Sequence, residues 1–164
     1  QRIASHFNIS GDFFKTVNAE DELVRRLSAG NGRVSIGGTA SALTSAITPC
    51  AFHHRRLADF HSAVEAYHYL IADIIDQQKL SSGMVLQGSP VEHIYVDGGF
   101  CRNALYMQLL ANAFPGKKLY SASIMQGTAL GAAMALHHHW NRQPVPAHLI
   151  QLKSWQTNAG LPAR

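Results

Sequence analysis

Apolar side chains along this chain follow two spacings, one typical of amphipathic helices and one typical of short buried strands. Near the N-terminus, residues 18–27 carry acids in the first turn and arginines in the last, an arrangement that the helix dipole favours. Gly30 supplies a natural stop for that predicted helix. Further on, Ser62 and Glu65 have the spacing of a capping box, which predicts that a second helix begins there.

The helix that begins at Ser62 is predicted to be amphipathic. Its apolar stripe comprises Val64, Tyr67, Leu70, Ile71, Ile74 and Ile75, and its opposite side carries Glu65, Asp73, Asp76 and Gln77. This division predicts that one face packs against a core while the other faces water. Two polar segments that contain glycine, 81–83 and 88–90, are expected to bracket the connection to the next strand.

From residue 91 onward, strand and helix patterns alternate at short intervals. The predicted elements are a strand over 91–96, a turn over 97–102, a helix over 103–114, a strand at about 118–122 and a helix over about 126–139. The first of these helices has apolar side chains all round, so most of its surface is expected to be buried. The order of elements indicates an α/β layered domain.

The remaining segments are less regular. Glycines and a proline punctuate residues 30–58, where a short strand is expected at 33–36, and one short helix is expected near 149–155. We therefore predict three regions. They are an irregular entry region over 1–56 with one short helix, an α/β core over 57–140 and a surface tail over 141–164.

Composition and charge narrow the classes of function. The 164-residue chain has a net charge of +4, but its basic residues form only short clusters, so nucleic acid is not an expected partner. No apolar run has the length of a membrane span and no secretory signal is visible, which favours a cytoplasmic protein without membrane contact. Cys50 and Cys101 form no CxxC pair and are expected to be free thiols. The histidines at 137–139 point in different directions around a helix, so no metal site is expected there.

The first strand of the 91–139 segment runs into Gly98 and Gly99, and a helix pattern follows at once. A glycine pair in this place brings bare backbone N–H groups to the edge of a sheet, where they can face a phosphate or a nucleotide. Taken alone the signal is weak, because many turns need glycine only for its backbone freedom. A second feature strengthens it. Gly127, Gly131 and Ala135 stand one helical turn apart, so another helix or a flat ligand such as adenine can approach closely.

Three stretches together carry a family resemblance: VDGGFCRN at 96–103, MQLLA at 107–111 and TALGAA at 128–133. In this order they resemble the C-terminal domain of the FGGY family of carbohydrate kinases, over about residues 57–140. The family phosphorylates sugars and polyols with ATP. The resemblance therefore implies the C-terminal half of an actin/hexokinase-type (ribonuclease H-like) ATPase fold, incomplete in this chain. It is nearest to rhamnulokinase- and fuculokinase-like members, which implies a ketose or deoxyketose substrate.

The resemblance also implies roles for individual residues. Gly98 and Gly99 would lie against the nucleotide, near its α-phosphate and ribose, and Asn103 would lie near the adenine, where an amide can donate and accept. Asp97 is expected to fix the turn by accepting nearby backbone N–H groups rather than to bind Mg²⁺. Gln126 stands where many relatives have glutamate, which puts any role of a carboxylate there in doubt.

The same resemblance implies that part of the machinery lies elsewhere. The carboxylate that takes the proton from the sugar hydroxyl would lie upstream of this sequence, as would the sugar-binding N-terminal domain and the loop that holds the β- and γ-phosphates. Residues 37–39 resemble such a loop only superficially, and Gln1 in place of methionine is a further indication of a piece of a longer protein. ATP and Mg²⁺ are the cofactors expected for the complete enzyme. The chain alone is expected to hold no catalytic residue, to be inactive and to self-associate through apolar surface left exposed.

Two other functions are compatible with the sequence. A stand-alone binding or scaffold module could keep the same fold without its chemistry. A dinucleotide-binding domain is disfavoured, because the turn reads GGxxxN instead of GxGxxG and because no acidic residue ends the following strand at 121–123.

Overall fold

A computed structural model describes residues 1–30, 50–122, 127–146 and 149–157 of the chain. Within these ranges lie five α-helices and one three-stranded sheet, which confirms the predicted mixed α/β class. The helices are α1 (Arg2–Phe7), α2 (Asp21–Gly30), α3 (Ala63–Leu86), α4 (Ala104–Ala113) and α5 (Gly127–Trp140). The strands are β1 (His93–Val96), β2 (Lys118–Ala122) and β3 (Leu152–Trp155). Short 3₁₀ turns lie at Phe13–Lys15, Ala51–His54, Leu57–Asp59 and Gly99–Arg102.

The sheet has the order β1-β2-β3, with β1 parallel to β2 and β3 antiparallel to β2. Ile94 and Val96 are half-buried against the core, whereas His93 and Tyr95 are exposed on the opposite face. This alternation follows from the two-residue period of a strand. Because β1 and β2 are parallel, their carboxyl ends lie at the same edge of the sheet.

The short helix predicted near 149–155 is wrong. Strand β3 occupies Leu152–Trp155 instead, and it adds to the edge of β2 with Leu119 paired to Trp155. The Trp155 indole N–H donates to the Ser121 hydroxyl at 2.9 Å, and the ring is half-buried against the core. A short apolar stretch is compatible with either a strand or a helix, and here the edge of β2, which offers backbone hydrogen bonds, decides between them.

Helix α3 begins where the capping box predicts, but it runs further than expected. The Ser62 hydroxyl accepts from the Glu65 backbone N–H at 3.1 Å, and the Glu65 carboxylate accepts from the His61 backbone N–H at 2.8 Å. The connection predicted at 81–83 is wrong, because the helix continues through these residues. Gly83 is buried within α3 and does not end the helix.

One hydrophobic core joins the helices to the sheet. Helix α4 supplies much of it, as its apolar surface predicts, and the apolar stripe of α3 packs against the same core. The buried apolar residues of the two helices include Leu105, Tyr106, Met107, Leu109, Leu110 and Ala111 of α4 with Tyr67, Ile71 and Ile75 of α3. This packing anchors the start of α4, and with it the turn that precedes α4.

The first thirty residues also pack onto this core. Ile3, Val24 and Leu27 belong to the same buried cluster, and α1 is a helix that the sequence pattern does not predict. The buried ring of His68 in α3 accepts from the Glu20 backbone N–H at 3.1 Å, which ties the start of α2 to α3. The strand expected at 33–36 lies outside the described residues, and the division of the chain into three regions stays a prediction.

The polar side of α3 differs from its prediction at Asp73. This carboxylate is buried and accepts two hydrogen bonds from the Arg55 guanidinium, at 2.7 and 2.8 Å. The hydrogen bond to Asp73 raises the pKa of Arg55 above its ordinary value, although burial acts in the opposite direction. Arg55, in the segment before α3, therefore covers part of the helix side that the sequence pattern predicts to face water.

Helix α5 follows the predicted 126–139 segment closely, but it has a different environment from α4. None of its residues is buried within the described part of the chain, and Leu136 and Trp140 are exposed. Within the described ranges, no helix combines the length and the apolar character needed to cross a membrane.

Candidate functional site

The turn between β1 and α4 contains the residues that the sequence singles out. Strand β1 ends at Val96, Gly98 follows with a φ of +84°, and a 3₁₀ turn over Gly99–Arg102 leads to Asn103. A positive φ is costly for any residue with a Cβ, so the backbone itself requires glycine at position 98.

Both glycines of the turn border open space. A Cβ built on Gly98 or Gly99 would meet no atom within 4 Å in the part of the chain that the structure describes. Gly99, unlike Gly98, has no positive φ, so neither its backbone angle nor its packing demands a glycine. A glycine that the fold does not require often marks a place where a ligand or another backbone comes close.

Asp97 connects the turn to the start of α5. One of its carboxylate oxygens accepts from the Gly98 backbone N–H at 2.7 Å, which confirms the expectation that Asp97 fixes the turn. The other oxygen lies beside Gly127, where a Cβ would be only 2.5 Å away from it. Position 127 therefore has no room for a Cβ, because the Asp97 carboxylate occupies that space. The N-terminal end of α5 is also where the helix dipole favours a negative charge.

This arrangement places the turn and the start of α5 at one edge of the sheet. Both follow the carboxyl ends of parallel strands, β1 and β2 respectively. In open α/β sheets, ligands bind in the crevice outside the carboxyl ends of such strands. Gln126, which precedes α5, lies outside the described residues.

Asn103 uses both groups of its amide within the fold. Its Oδ1 accepts from the Tyr106 backbone N–H at 3.0 Å and caps α4, while its Nδ2 donates to the Tyr67 hydroxyl at 2.7 Å. Burial raises the pKa of Tyr67, and the hydrogen bond from Asn103 acts against that rise. An amide has two donor hydrogens and two acceptor lone pairs, so one of each remains for a ligand. The place of Asn103 near an adenine stays a prediction.

Sequence reasoning missed the capping role of Asn103 and the neighbours of the turn. The preference for asparagine just before a helix is a signal that could have revealed the cap. Phe100 is exposed at the turn, with its ring centroid 4.7 Å from that of Tyr106. The Cys101 thiol donates to the Ala122 carbonyl oxygen at 3.4 Å and so links the turn to the end of β2. Cys50 and Cys101 are both free thiols.

Metal-binding side chains do not converge in the described ranges, where no group of three or more histidine, cysteine, aspartate or glutamate residues could hold a metal ion. His137 instead places its Nε2 at 2.6 Å from the Gln143 carbonyl oxygen. Asp97 has both oxygens directed at its own chain, toward Gly98 and Gly127. Its arrangement fits a structural role better than that of a Mg²⁺ ligand.

A family model for the C-terminal domain of FGGY carbohydrate kinases matches residues 35–140. The chain belongs to the FGGY family of carbohydrate kinases. The match covers well over half of the chain and includes the glycine turn and all of α3, α4 and α5. It also begins earlier than the 57–140 region to which the motif resemblance extends. No curated protein and no solved structure matches the chain significantly. Membership of the FGGY family identifies the matched region as a domain of a carbohydrate kinase, a transferase of carbohydrate metabolism.

Proposed function

We propose that this FGGY domain forms the nucleotide side of an ATP-dependent sugar kinase, which transfers the γ-phosphoryl group of Mg·ATP to a sugar hydroxyl. The complete enzyme would have the actin/hexokinase type of fold, with this chain as part of the C-terminal half. Its sugar would be a ketose or deoxyketose, as in the rhamnulokinase- and fuculokinase-like members that the motifs resemble.

The observation that carries the proposal is the open glycine turn at the carboxyl edge of the sheet. Among the described residues no atom stands in the way of a Cβ on Gly98 or Gly99, and the N-terminal end of α5 lies beside them through the contact of Asp97 with Gly127. The Gly98 N–H donates to Asp97, so the turn offers a nucleotide chiefly room free of side chains, at an edge where backbone N–H groups suit phosphates. A Cβ on Gly131 in α5 would likewise meet no atom of the described ranges within 4 Å, which leaves room for a flat base on that helix.

In the complete enzyme these residues would position the nucleotide, because phosphoryl transfer depends on positioning and on charge stabilisation from both sides of a cleft. The turn at Gly98 and Gly99 would face the α-phosphate and ribose, and the remaining donor and acceptor of the Asn103 amide would face the adenine. The carboxylate that takes the proton from the sugar hydroxyl would come from outside this chain. We therefore expect the chain alone to bind ATP but not to phosphorylate sugars.

The proposal is tested by titrating the wild type and a Gly99→Val variant with ATP in a calorimeter. Because Gly99 has no positive φ and borders open space, valine should leave the thermal stability nearly unchanged. The same valine would fill the space that the nucleotide needs, so we expect at least about tenfold weaker ATP binding, equivalent to about 1.4 kcal/mol.

Gly11→Val is the matched control, since Gly11 also lacks a positive φ and a Cβ placed on it would meet no atom of any described residue within 4 Å, but it lies far earlier in the chain. It should bind ATP like the wild type. Equal ATP affinities in the wild type and in Gly99→Val would remove the turn from the nucleotide site. Tighter binding of NAD than of ATP would instead support a dinucleotide-binding domain.

A further inference from the structure

Tyr67 is a buried residue of α3 whose hydroxyl group reaches the candidate site. Its ring belongs to the hydrophobic core, where the ring of Phe13 meets it edge-on with centroids 5.7 Å apart. Close packing of this kind holds the aromatic ring in one position, so the hydroxyl oxygen at its end is fixed as well. That oxygen accepts a hydrogen bond from Asn103 Nδ2 at 2.7 Å.

The Asn103 amide is therefore held at both of its polar ends. Oδ1 accepts from the Tyr106 backbone N–H at 3.0 Å, and Nδ2 donates to the Tyr67 hydroxyl. A hydrogen bond at one end alone would leave the amide free to rotate about that contact, because the terminal torsion of asparagine has broad energy wells. The second hydrogen bond removes this freedom. The fold thus fixes the positions of the donor and the acceptor that remain on the amide.

The two contacts of the amide serve different purposes. The Tyr106 N–H belongs to α4, which Asn103 itself caps, and an asparagine at the start of a helix needs only this local contact. Tyr67 instead lies on α3, 36 residues away in the chain. Its hydrogen bond adds nothing to the cap. The distinct effect of Tyr67 is therefore on the orientation of the amide.

An amide in a fixed orientation discriminates between bases by the order of its donor and acceptor. Adenine presents an amino donor beside a ring-nitrogen acceptor, and asparagine can pair with both at once. A 6-oxopurine carries a carbonyl oxygen in place of the amino group, so it presents two acceptors. An amide that can rotate adapts to either base. An amide that is held brings its own oxygen against the carbonyl oxygen of the 6-oxopurine.

We propose that Tyr67 is a positioning residue, which holds the Asn103 amide in the orientation that selects adenine over 6-oxopurines. This inference rests on the proposed function, in which Asn103 faces the base of the nucleotide. Tyr67 itself makes no contact with the nucleotide and acts through Asn103. A buried residue of α3 thereby takes part in the choice of the phosphoryl donor.

The test compares the binding of ATP and of inosine triphosphate, whose base is a 6-oxopurine, to the wild type and to Tyr67→Phe in a calorimeter. Phenylalanine keeps the ring and its packing, so the variant should stay folded, which a thermal melt checks. We expect ATP to bind at least about fivefold more weakly to Tyr67→Phe, because the amide loses its fixed orientation. Binding of inosine triphosphate should change by less than about twofold, so the preference for ATP falls.

Tyr69→Phe is the matched control, because it removes the same hydroxyl group from a tyrosine of α3 whose ring lies under the Arg55 guanidinium, 5.1 Å from it. It should keep the preference of the wild type. The side-chain amide signals of Asn103 in ¹H–¹⁵N NMR give a second readout. The two Nδ2 protons should be well separated in the wild type and in Tyr69→Phe, and they should move together in Tyr67→Phe, where neither has the hydroxyl as its acceptor.

The possible outcomes separate this inference from the proposed function. An unchanged preference for ATP in a folded Tyr67→Phe variant would overturn the inference and leave the proposed function standing. Equal loss of both nucleotides in that variant, or equal affinity of the wild type for both, would do the same, because the hydroxyl would then have no part in the choice of base. A wild type that binds neither nucleotide would overturn the proposed function and this inference together.

Discussion

At the scale of single residues, Asn103 carries two tasks that substitutions can separate. Its Oδ1 caps α4 and its Nδ2 donates to Tyr67, while the proposed function adds a contact with the nucleotide. Asn103→Ala removes the cap and should lower the free energy of unfolding by about 1–2 kcal/mol. Asn103→Asp keeps a capping oxygen and gives the Tyr67 hydroxyl an acceptor, so its stability in urea unfolding should stay close to that of the wild type.

The aspartate variant then isolates the contact with the nucleotide. A carboxylate cannot donate to a base edge and repels phosphates, so we expect calorimetric titration to show about tenfold weaker ATP binding for Asn103→Asp. If this stable variant bound ATP as tightly as the wild type, Asn103 would have the structural role alone.

Asp76 provides a residue whose charge works against the fold. One of its carboxylate oxygens is buried without a hydrogen-bond partner among the described residues. Burial, followed by the nearby charge of Asp73, raises its pKa, while Lys79 and Arg55 act against that rise. A raised carboxyl pKa means that the folded state favours the protonated form. The protonated Asp76 carboxyl therefore contributes its full share of the free energy of unfolding below the ordinary pKa. This contribution is lost as the pH rises through the pKa of the folded state.

Asp76→Asn should accordingly raise the free energy of unfolding near neutral pH, by up to about 1 kcal/mol. The gain should shrink as the pH falls through the raised pKa of the folded state, because the carboxyl of the wild type then takes up its proton. Urea unfolding of both proteins across this range measures the difference. Asp59→Asn, which replaces an exposed carboxylate, is the matched control and should show no such change. A gain from Asp76→Asn that is independent of pH would contradict the role of its charge.

At the scale of elements, α5 combines helix-breaking glycine with an exposed surface. Gly131 lies inside the helix, yet no described residue comes within 4 Å of a Cβ placed on it. Gly131→Ala should therefore stabilise the chain by about 1 kcal/mol, because alanine is the better helix former. If a nucleotide lies on this face of α5, as the proposed function requires, the added methyl group should weaken ATP binding.

Higher thermal stability together with weaker ATP binding in Gly131→Ala would support a nucleotide site on this face of α5. Ala133→Gly, at another exposed position of α5, is the control and should lower stability by about the same amount without changing ATP affinity. Higher stability with unchanged ATP affinity in Gly131→Ala would separate this face of α5 from the site.

Elements with a strong local pattern could be predicted from the sequence. The apolar surface of α4 and the capping box of α3 both correspond to what the structure shows. Strand β3 could not be predicted, because it depends on an edge of β2 that is distant in sequence. The burial of Asp73 depends in the same way on Arg55, which belongs to a segment outside the helix.

The candidate site shows the same division between local and distant causes. Its glycine turn is visible in the sequence, since both glycines follow a strand pattern directly. The partner of the Asn103 amide is Tyr67, 36 residues earlier in the chain, and no local pattern connects the two. The space that Asp97 takes beside Gly127 likewise results from the approach of α5 to the turn.

At the scale of the whole molecule, the apolar surface is unevenly covered. One face of the sheet packs on the core, while the other exposes Tyr95, whose ring stacks on Tyr120 with centroids 5.3 Å apart. Parallel strands are normally covered on both faces. Helix α5 adds Leu136 and Trp140, which are four residues apart and therefore share one side of the helix, with exposures of 57% and 67%.

An exposed apolar stripe of this kind favours association, so we expect the chain to self-associate through α5. Sedimentation velocity should show a sedimentation coefficient that rises with concentration. The double variant Leu136→Gln/Trp140→Gln should weaken this association at least about tenfold, because it removes both of the exposed apolar side chains that form the stripe.

Val85→Gln is the control, since Val85 is 78% exposed but lies on α3. A wild type that stays monomeric at every concentration would contradict the prediction. A Val85→Gln variant that dissociates like the double variant would show that general surface hydrophobicity, and not the stripe on α5, drives association.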